Sequence, residues 1–331
     1  MKKGSFVISL DFELFWGVID ATTKEKFGQQ ILGARKAIPQ ILDLFNEYDI
    51  HATWGIVGLL FAENHSELIE YSPQVKPNYI EKKFSAYDYF DCVGENEQDD
   101  VFHFAPSLIQ KIKQYNHQEI ASHTYSHYYC KALGQDETSF EHDLTSAQNI
   151  ANAKQNVVLK SLILPRNQYL KEYAKVIKKC GFSSVRGNPA HYAYNNSDMF
   201  ARAMLLLDSY TNICCMKCYG VKDCVEDEII NIKASCFFRK YNKNLKLLEG
   251  LKIYSIKRQM KFAAKKGKIF HLWWHPHNFG TNTQINLNQM RLIFEYYKEL
   301  NAKYGFESKN MRETANEIIQ KYNKNSLNSA L

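Results

Sequence analysis

The chain has 331 residues and a net charge of +7, and 45% of its residues are apolar. This composition fits one large α/β domain and excludes a largely disordered chain. No run approaches the roughly 18 apolar residues of a membrane-spanning helix, and Asp11 cuts the first apolar stretch too short for a secretory signal. With eight cysteines, we therefore expect reduced thiols in a cytoplasmic protein, for which the inner membrane face is one candidate location.

Short β-rich runs alternate with helical patterns along the chain. Strands are predicted at 5–11, 51–58, 119–123, 161–164, 183–186 and 269–274. Apolar residues at helical spacing occupy most of the segments between them. This alternation predicts a parallel sheet, and in a chain of this length a distorted (β/α) barrel is the expected form. In such barrels, catalytic groups lie at the carboxyl ends of the strands.

Two stretches, at about 60–105 and 190–250, do not follow the alternation. We predict that they are insertions at the barrel mouth of a single domain, 1–322, which a polar tail at 323–331 follows. The second stretch contains a cysteine cluster between Cys214 and Cys224. Reduced thiols are the default interpretation of this cluster, and a second metal site is the alternative.

Positive charge is concentrated in one segment. Between Lys233 and Lys268 there are twelve Lys or Arg and one acid, a net charge of +11, so the rest of the chain is slightly acidic. This distribution argues against nucleic acid as a partner and predicts one local basic surface. The segment could be a solvated helix face, or 243–268 could contact a phosphate-bearing sugar carrier or an anionic bilayer.

Carboxylates and histidines follow two of the predicted strands. Asp11 and Glu13 are two residues apart, so in an extended backbone both side chains point to the same face. His123 and His127 have the i, i+4 spacing that places two imidazoles on one face of a helical turn, which suits a shared metal ion. Two histidines and a carboxylate form a common catalytic zinc set. Solvated carboxylates and ordinary histidines are the alternatives.

Two further groups follow later strands. Arg166 and Asn167 come after an apolar run, where a guanidinium needs a carboxylate partner, and Asp11 is the candidate. His271, Trp273, Trp274, His275 and His277 are interleaved at the end of another run. Histidine is the usual proton donor near neutral pH, and tryptophan faces line sugar sites. Trp16 is a further candidate for sugar stacking, and core packing is the alternative for these tryptophans.

Together, Asp11, the H-x-x-x-H motif of His123 and His127, Arg166 and the W-W-H-P motif with His275 resemble the polysaccharide deacetylase (NodB-like, carbohydrate esterase family 4) superfamily. The order and spacing match over about 5–280. This resemblance implies a distorted barrel, often with seven strands, and hydrolysis of N-acetyl groups at one metal ion.

The resemblance also implies a role for each matching residue. His123 and His127 would bind the metal, Asp11 would be the base, Arg166 its orienting partner and His275 the acid. The family motif has two adjacent aspartates, whereas Phe12 separates Asp11 from the next acid here. A subset of relatives has this spacing, so Glu13 is assigned as the third ligand.

The resemblance leaves some assignments less direct. Asp208 is the candidate for the aspartate that supports the acid, and Asn167, Trp16, Trp273 and Trp274 are expected to contact substrate. The expected cofactor is one divalent ion, zinc first, with Co²⁺, Ni²⁺ or Mn²⁺ as alternatives.

The sequence therefore predicts a metal-dependent deacetylase of an N-acylated sugar, which nucleotide or lipid phosphate could carry, in a precursor of a bacterial surface polysaccharide. A deformylase of a lipid-linked sugar and a cyclic-amide or ureide hydrolase are alternatives on the same fold. A catalytically silent sugar-binding module is the alternative from another class.

Overall fold

The computed structural model describes residues 3–189, 204, 208, 210–211, 216–226 and 228–328. Within the predicted cysteine cluster, Cys214 and Cys215 lie outside the described residues. Cys218 and Cys224 are buried, and the Cys218 thiol donates to the carbonyl oxygen of Gln259. None of the described helices is long and apolar enough to cross a membrane.

Among the described residues, nine short strands form one parallel sheet. They are β1 (Ser5–Phe12), β2 (Ala52–Ile56), β3 (Gln118–Ser122), β4 (Ser161–Ile163), β5 (Ser184–Arg186), β6 (Ile230–Asn231), β7 (Cys236–Phe237), β8 (Ile269–Trp274) and β9 (Glu307–Lys309). Eight strands follow the order β6-β5-β4-β3-β2-β1-β8-β7, and β9 pairs with the start of β1. The predicted α/β fold with a distorted parallel barrel is confirmed.

The sheet curls until its two ends are nearly joined. Strands β6 and β7 stand at opposite ends of the order, but only the four residues 232–235 separate them in the chain. Within this link, the Ile232 N–H donates to Val185 O and the Ser235 N–H donates to His271 O, each at 2.8 Å. The link therefore bridges β5 and β8. Part of the segment predicted as an insertion at 190–250 thus belongs to the barrel wall.

Nine helices can be described. They are α1 (Lys24–Tyr48), α2 (His65–Glu70), α3 (Pro106–Gln114), α4 (Glu137–Gln155), α5 (Ala174–Lys179), α6 (Val221–Cys224), α7 (Glu249–Lys266), α8 (Thr283–Tyr304) and α9 (Met311–Asn328). Between β2 and α3, the stretch 60–105 contains only α2 and short 3₁₀ turns, as an insertion would. Helix α9 continues to Asn328, so most of the predicted polar tail is helical.

The core forms where α1 crosses the centre of the sheet. Every residue of β1 is buried because β2 and β8 flank it. The Phe45 ring of α1 packs against Trp54 of β2, Trp274 of β8 and Phe294 of α8, with ring centroids 5.8–6.2 Å apart. Aromatic residues of β2 and β8 therefore pack against α1 in the core.

Helix α1 also fixes the turn that follows β8. A Cβ atom on Gly33 would lie 1.9 Å from the carbonyl oxygen of Gly280, so only glycine permits this approach. The 3₁₀ turn Pro276–Phe279 is therefore held against the helix. This contact sets the position of the histidines around the turn.

Candidate active site

Charged and titratable side chains converge at the carboxyl edge of the sheet. Glu13 follows β1, His123 and His127 follow β3, and His275 follows β8. Asp11 and Arg186 come from the last residues of β1 and β5 and are buried. Parallel strands end at the same edge, so residues far apart in sequence meet there.

Glu13 lies between the two histidines of the H-x-x-x-H motif. Its Oε2 atom is 3.1 Å from Nε2 of His127 and 3.3 Å from Nε2 of His123. All three side chains are buried, and their potential ligand atoms lie within 4.8 Å of one another. The predicted same-face arrangement therefore brings these three residues together.

The backbone that brings the two imidazoles together is not the predicted helical turn. Residues 123–127 are irregular, and Thr124 and His127 have φ of 64° and 59°. These left-handed residues turn the loop so that the imidazole centroids are 5.2 Å apart. The prediction of convergence is correct, but the predicted local structure is wrong.

The hydrogen bonds of the two imidazoles fix their tautomers. His123 Nδ1 lies 2.9 Å from the carbonyl oxygen of Ile163, which can only accept. His127 Nδ1 lies 3.1 Å from the hydroxyl of Tyr129, which itself donates to Asp20. Both Nδ1 atoms are therefore donors, and both Nε2 atoms direct a lone pair at the carboxylate of Glu13.

Three electron-pair donors that face one another in a buried site need a cation or a proton between them. Two imidazole nitrogens and a carboxylate are donors that suit a divalent ion such as Zn²⁺. The carbonyl oxygen of Ile163 and the hydroxyl of Tyr129 orient the two rings through their Nδ1 atoms. The residues of this site therefore fit the metal ion that the sequence predicts.

The protonation states match those of metal ligands. Burial opposes the charge of Glu13, but His275 and the two neighbouring histidines outweigh it and hold its pKa well below the usual range. Burial lowers the pKa of His127, and Glu13 only partly offsets this effect. Glu13 is therefore ionised and His127 neutral at neutral pH, the forms that bind a metal.

Arg186, not Arg166, is the partner of Asp11. Its two terminal nitrogens donate to the two carboxylate oxygens at 2.6 and 2.7 Å, and both side chains are buried. Ser9 and Asn167 also accept from the same guanidinium. Burial alone would raise the pKa of Asp11, but Arg186 outweighs it and lowers the pKa. Asp11 is thus held ionised in a fixed orientation.

Arg166 supports the other half of the site. Its guanidinium pairs with Asp20 and lies 4.5 Å from the centre of the Tyr129 ring. Because Asp20 accepts from Tyr129 and Tyr129 contacts His127, Arg166 is connected to the histidine pair and not to Asp11. The predicted pairing with Asp11 is therefore wrong. Arg186 also ends a predicted strand, so the argument applied to Arg166 could have identified it.

His275 is the accessible imidazole of the site. Its Nε2 atom is 3.8 Å from Oδ2 of Asp11 and 3.6 Å from Oε1 of Glu13, and 23% of its side chain is exposed. Its ring stacks on His277, with centroids 4.8 Å apart. Burial, and then the neighbouring His275, lowers the pKa of His277 to about 3. Of these two imidazoles, His275 is the one that substrate can reach.

His271 has a structural role instead. It is fully buried, its Nε2 lies 2.8 Å from Ser9 Oγ, and its Nδ1 lies 3.0 Å from Ile232 O. Burial and then the nearby Arg186 charge lower its pKa to about 3. This neutral ring therefore ties β1 to the link between β6 and β7.

The predicted sugar-binding residues differ in accessibility. Trp16 and Trp274 are fully buried, and Trp16 donates to the backbone of His103, so neither ring has a face for a sugar. Those two predictions are wrong because both rings belong to the core. Trp273 is half-buried beside Arg186, with 4.2 Å between guanidinium carbon and ring centre, and its substrate contact remains a prediction.

Two other predicted residues have structural partners. Asn167 is buried, and its side-chain oxygen accepts from Arg186. Asp208 is also buried and pairs with Lys217, whereas Asp11 and Glu13 are the carboxylates beside His275. The assignment of Asp208 as the support of the acid is therefore wrong.

Residues 32–185 match the family model for polysaccharide deacetylase. Over this stretch the chain is similar to the polysaccharide deacetylase family. Its fold is similar to that of a protein assigned to these deacetylases from Mycobacterium smegmatis, at a TM-score of 0.58 and 14% identity over 97% of this chain and 92% of the other. The fold is also similar to that of a protein with the same assignment from Pseudomonas aeruginosa PAO1. The TM-score is 0.55 and the identity 10%, over 95% of this chain and 90% of that protein.

The fold extends beyond deacetylases. A GH57-type branching enzyme from Pyrococcus horikoshii has a TM-score of 0.50 and 11% identity, over 96% of this chain and 70% of that enzyme. The search of curated proteins found no match. Because these identities are low, the solved structures establish the fold alone.

Proposed function

We propose that this protein, like the polysaccharide deacetylases it resembles, is a metal-dependent hydrolase of the amide in an N-acetylated sugar. The observation that carries the proposal is the convergence of Glu13, His123 and His127 directly beside Asp11 and His275. This arrangement gives each step of amide hydrolysis a residue of suitable chemistry. A silent sugar-binding module would have no need of a buried, oriented carboxylate beside an accessible imidazole.

Glu13, His123 and His127 would hold the ion, with zinc as the first candidate. A divalent ion bound there supplies a Lewis acid that polarises the amide carbonyl. Asp11, kept ionised by Arg186, accepts a proton from the attacking water. His275 donates a proton to the amide nitrogen, because an amine leaves poorly until it is protonated. Asp11 and Glu13 are the carboxylates beside the His275 ring, at 3.8 and 3.6 Å from its Nε2 atom.

The experiment measures metal content and turnover in the same variants. We expect Glu13→Gln to lose one ion per chain, because it removes the charged ligand between the two histidines. Asp11→Asn and His275→Gln should keep that ion and lose about 10²–10⁴-fold in kcat. Elemental analysis gives the ion count, and the rate of amine release from an N-acetyl sugar gives kcat.

Two outcomes would contradict the proposal. An unchanged ion count in Glu13→Gln would remove the metal site, and near-normal turnover in His275→Gln would remove the acid. The identity of the released acid decides between related activities. Acetate supports the deacetylase, formate supports the deformylase, and ring opening without release of an acid supports the cyclic-amide hydrolase.

The basic segment suggests what carries the sugar. Strand β7 is parallel to β8, so the turn that follows it, 238–248, begins at the same edge as His275. Lys243 and Lys246 are exposed on this turn, beside Leu247, which is 95% exposed. Tyr254, in the first half of α7, is 65% exposed.

Lysines beside exposed apolar side chains suit a phosphate group that carries a lipid. We therefore infer a lipid-phosphate-linked sugar over a nucleotide-linked one, with membrane contact through this surface. The predicted cytoplasmic location would place the protein at the inner membrane face. Lys252 does not contribute to this surface, because it is buried against Glu249.

A further inference from the structure

A second group of metal-ligating side chains lies at the opposite end of the barrel. Asp49 follows α1, His51 precedes β2 and His117 precedes β3. Their potential ligand atoms lie within 4.8 Å of one another. The strands are parallel, so this group is at the amino edge of the sheet, whereas His123 lies past the carboxyl end of β3. The group is therefore separate from the candidate active site.

The three side chains are arranged around one carboxylate oxygen. Nε2 of His51 is 4.0 Å and Nε2 of His117 is 3.9 Å from Oδ1 of Asp49. The two imidazoles are stacked, with centroids 3.8 Å apart and an angle of 2° between their planes. Asp49 and His117 both have left-handed backbones, with φ of 52° and 65°. Such conformations are uncommon for residues other than glycine, and they turn these two side chains toward His51.

A carboxylate on the far side of His51 fixes its tautomer. Nδ1 of His51 is 2.7 Å from Oε2 of Glu313, which also accepts the N–H of Asn310. An ionised carboxylate can only accept, so Nδ1 of His51 donates to Glu313 and Nε2 is the ring nitrogen directed toward Asp49. A cation between Nε2 and the Asp49 oxygen would be attracted by both atoms.

The two stacked rings both place Nε2 within about 4 Å of the same carboxylate oxygen of Asp49. One divalent ion would satisfy both nitrogens and the Asp49 oxygen together. The Glu313–His51 pair then has the form of the carboxylate–histidine–metal relay that orients ligands in metal sites.

We propose that Asp49, His51 and His117 form a second divalent-metal site, oriented by Glu313. Two imidazoles and one carboxylate select an ion such as Zn²⁺, Ni²⁺ or Co²⁺ over Mg²⁺ or Ca²⁺. Two of the ligands are partly exposed, so water completes the coordination. Binding of an ion would rotate the two stacked rings apart, because lone pairs that lie in two parallel ring planes do not point at one common atom. The ion links the end of α1 to the starts of β2 and β3, a structural role that does not depend on the proposed catalysis.

The test uses the full chain in a Glu13→Gln background, which removes the candidate active-site ion. We expect this variant to bind one Zn²⁺ per chain in calorimetric titration, and its melting temperature to rise with added Zn²⁺. Adding His117→Asn should weaken Zn²⁺ binding at least 10-fold, and Asn tolerates the left-handed backbone at this position. Adding Glu313→Gln should weaken it about 10-fold.

The controls separate metal binding from folding. His142→Asn, a half-buried histidine outside both groups, should leave Zn²⁺ affinity unchanged. With chelator present, His117→Asn should melt at the same temperature as its parent. If it does not, Asp49→Asn, whose side chain is 68% exposed, replaces it. Absence of saturable binding in the Glu13→Gln background, or unchanged affinity in the ligand variants, would overturn the proposal. So would stability that responds to pH but not to Zn²⁺.

Discussion

Arg186 connects most of the residues around the proposed base. It donates to Asp11, Ser9 and Asn167, and its guanidinium lies over Trp273. The Arg186–Asp11 pair is almost entirely removed from water. Loss of one partner from such a pair leaves a buried charge without compensation, which costs more stability than the intact pair provides.

We therefore expect Arg186→Gln to lower the free energy of unfolding by about 3–5 kcal/mol. The loss arises because Asp11 stays buried without its guanidinium. Urea denaturation at neutral pH measures it. Turnover in the folded fraction should also fall, because Asp11 loses its fixed orientation.

Arg291→Gln provides the matched control for this prediction. Arg291 pairs with Glu47, but both side chains are more than 40% exposed. Removal of an exposed pair changes stability by only about 0–1 kcal/mol. Equal losses of unfolding free energy in the two variants would show that burial of the Arg186–Asp11 pair does not determine its contribution to stability.

At the scale of secondary structure elements, α4 holds the loop that carries His123 and His127. Asp143 of this helix accepts the backbone N–H groups of Tyr125 and Ser126 at 2.7 and 3.1 Å, and the hydroxyl of Ser126 at 2.5 Å. The loop has no regular hydrogen bonding of its own, so these contacts replace it. Asp143 thus positions both imidazoles without touching either.

Asp143 gives this contact a pH dependence. Burial raises its pKa to about 6, from 3.8 for an ordinary aspartate. The pKa of Asp143 is higher in the folded state than in the unfolded state. Its contribution to the free energy of unfolding is therefore complete below about pH 4 and is lost as the pH rises through 6. Relative to Asp143→Asn, wild type should lose about 2–3 kcal/mol of unfolding free energy between pH 4 and 7.

Urea denaturation across this pH range, with chelator present, tests the prediction. Chelator removes any pH effect of metal binding at the neighbouring histidines. If the difference between wild type and Asp143→Asn stays constant from pH 4 to 7, Asp143 does not titrate as its burial requires.

Helix α1 tolerates a proline in its interior. The helix begins at Lys24 and ends at Tyr48, so Pro39 lies well past its first turn. Proline removes one backbone hydrogen bond from a helix. The buried stripe, which includes Ile31, Ala34 and Ile41, runs past the proline, and its burial keeps the helix continuous.

At the scale of the whole molecule, the direction of the strands determines which basic residues lie near the active site. Helix α7 starts near the barrel mouth and runs toward the amino edge of the sheet, where β8 begins. Its 18 residues span roughly 27 Å at 1.5 Å each. Lys243 and Lys246 therefore lie near the mouth, whereas Lys265 and Lys266 lie at the distant end.

This geometry predicts which lysines affect the turnover of a phosphate-linked substrate. Turnover of a lipid-phosphate-linked N-acetyl sugar should exceed turnover of the free sugar, and the gain should shrink with added salt because charges attract the phosphate. Replacing Lys243 and Lys246 by Gln should remove most of this gain. Kinetics of both substrates at low and high salt measure it.

Replacing Lys265 and Lys266 by Gln is the control, since it removes the same charge far from the mouth. Equal effects of the two pairs of substitutions would indicate a general effect of charge. Equal rates on the free and the carrier-linked sugar would contradict the proposed substrate.

The sequence by itself determined the strands β1 to β5 and β8, because their apolar runs are local signals of burial. It also determined the group of Glu13, His123 and His127, because parallel strands that end in ligand residues must bring them to one edge. It could not identify β6 and β7, which have two residues each and exist only because the sheet curls around to meet them.

Only the tertiary structure decided which partner each charged residue has. Arg166 comes shortly after a short strand and Arg186 ends one, so the sequence patterns around the two residues are alike. The curvature of the sheet places Arg186 against Asp11 and Arg166 against Asp20. Burial of Trp16 and Trp274 likewise depends on which elements pack over them. Pairing and burial are set by distances between segments far apart in the chain, and local sequence does not encode those distances.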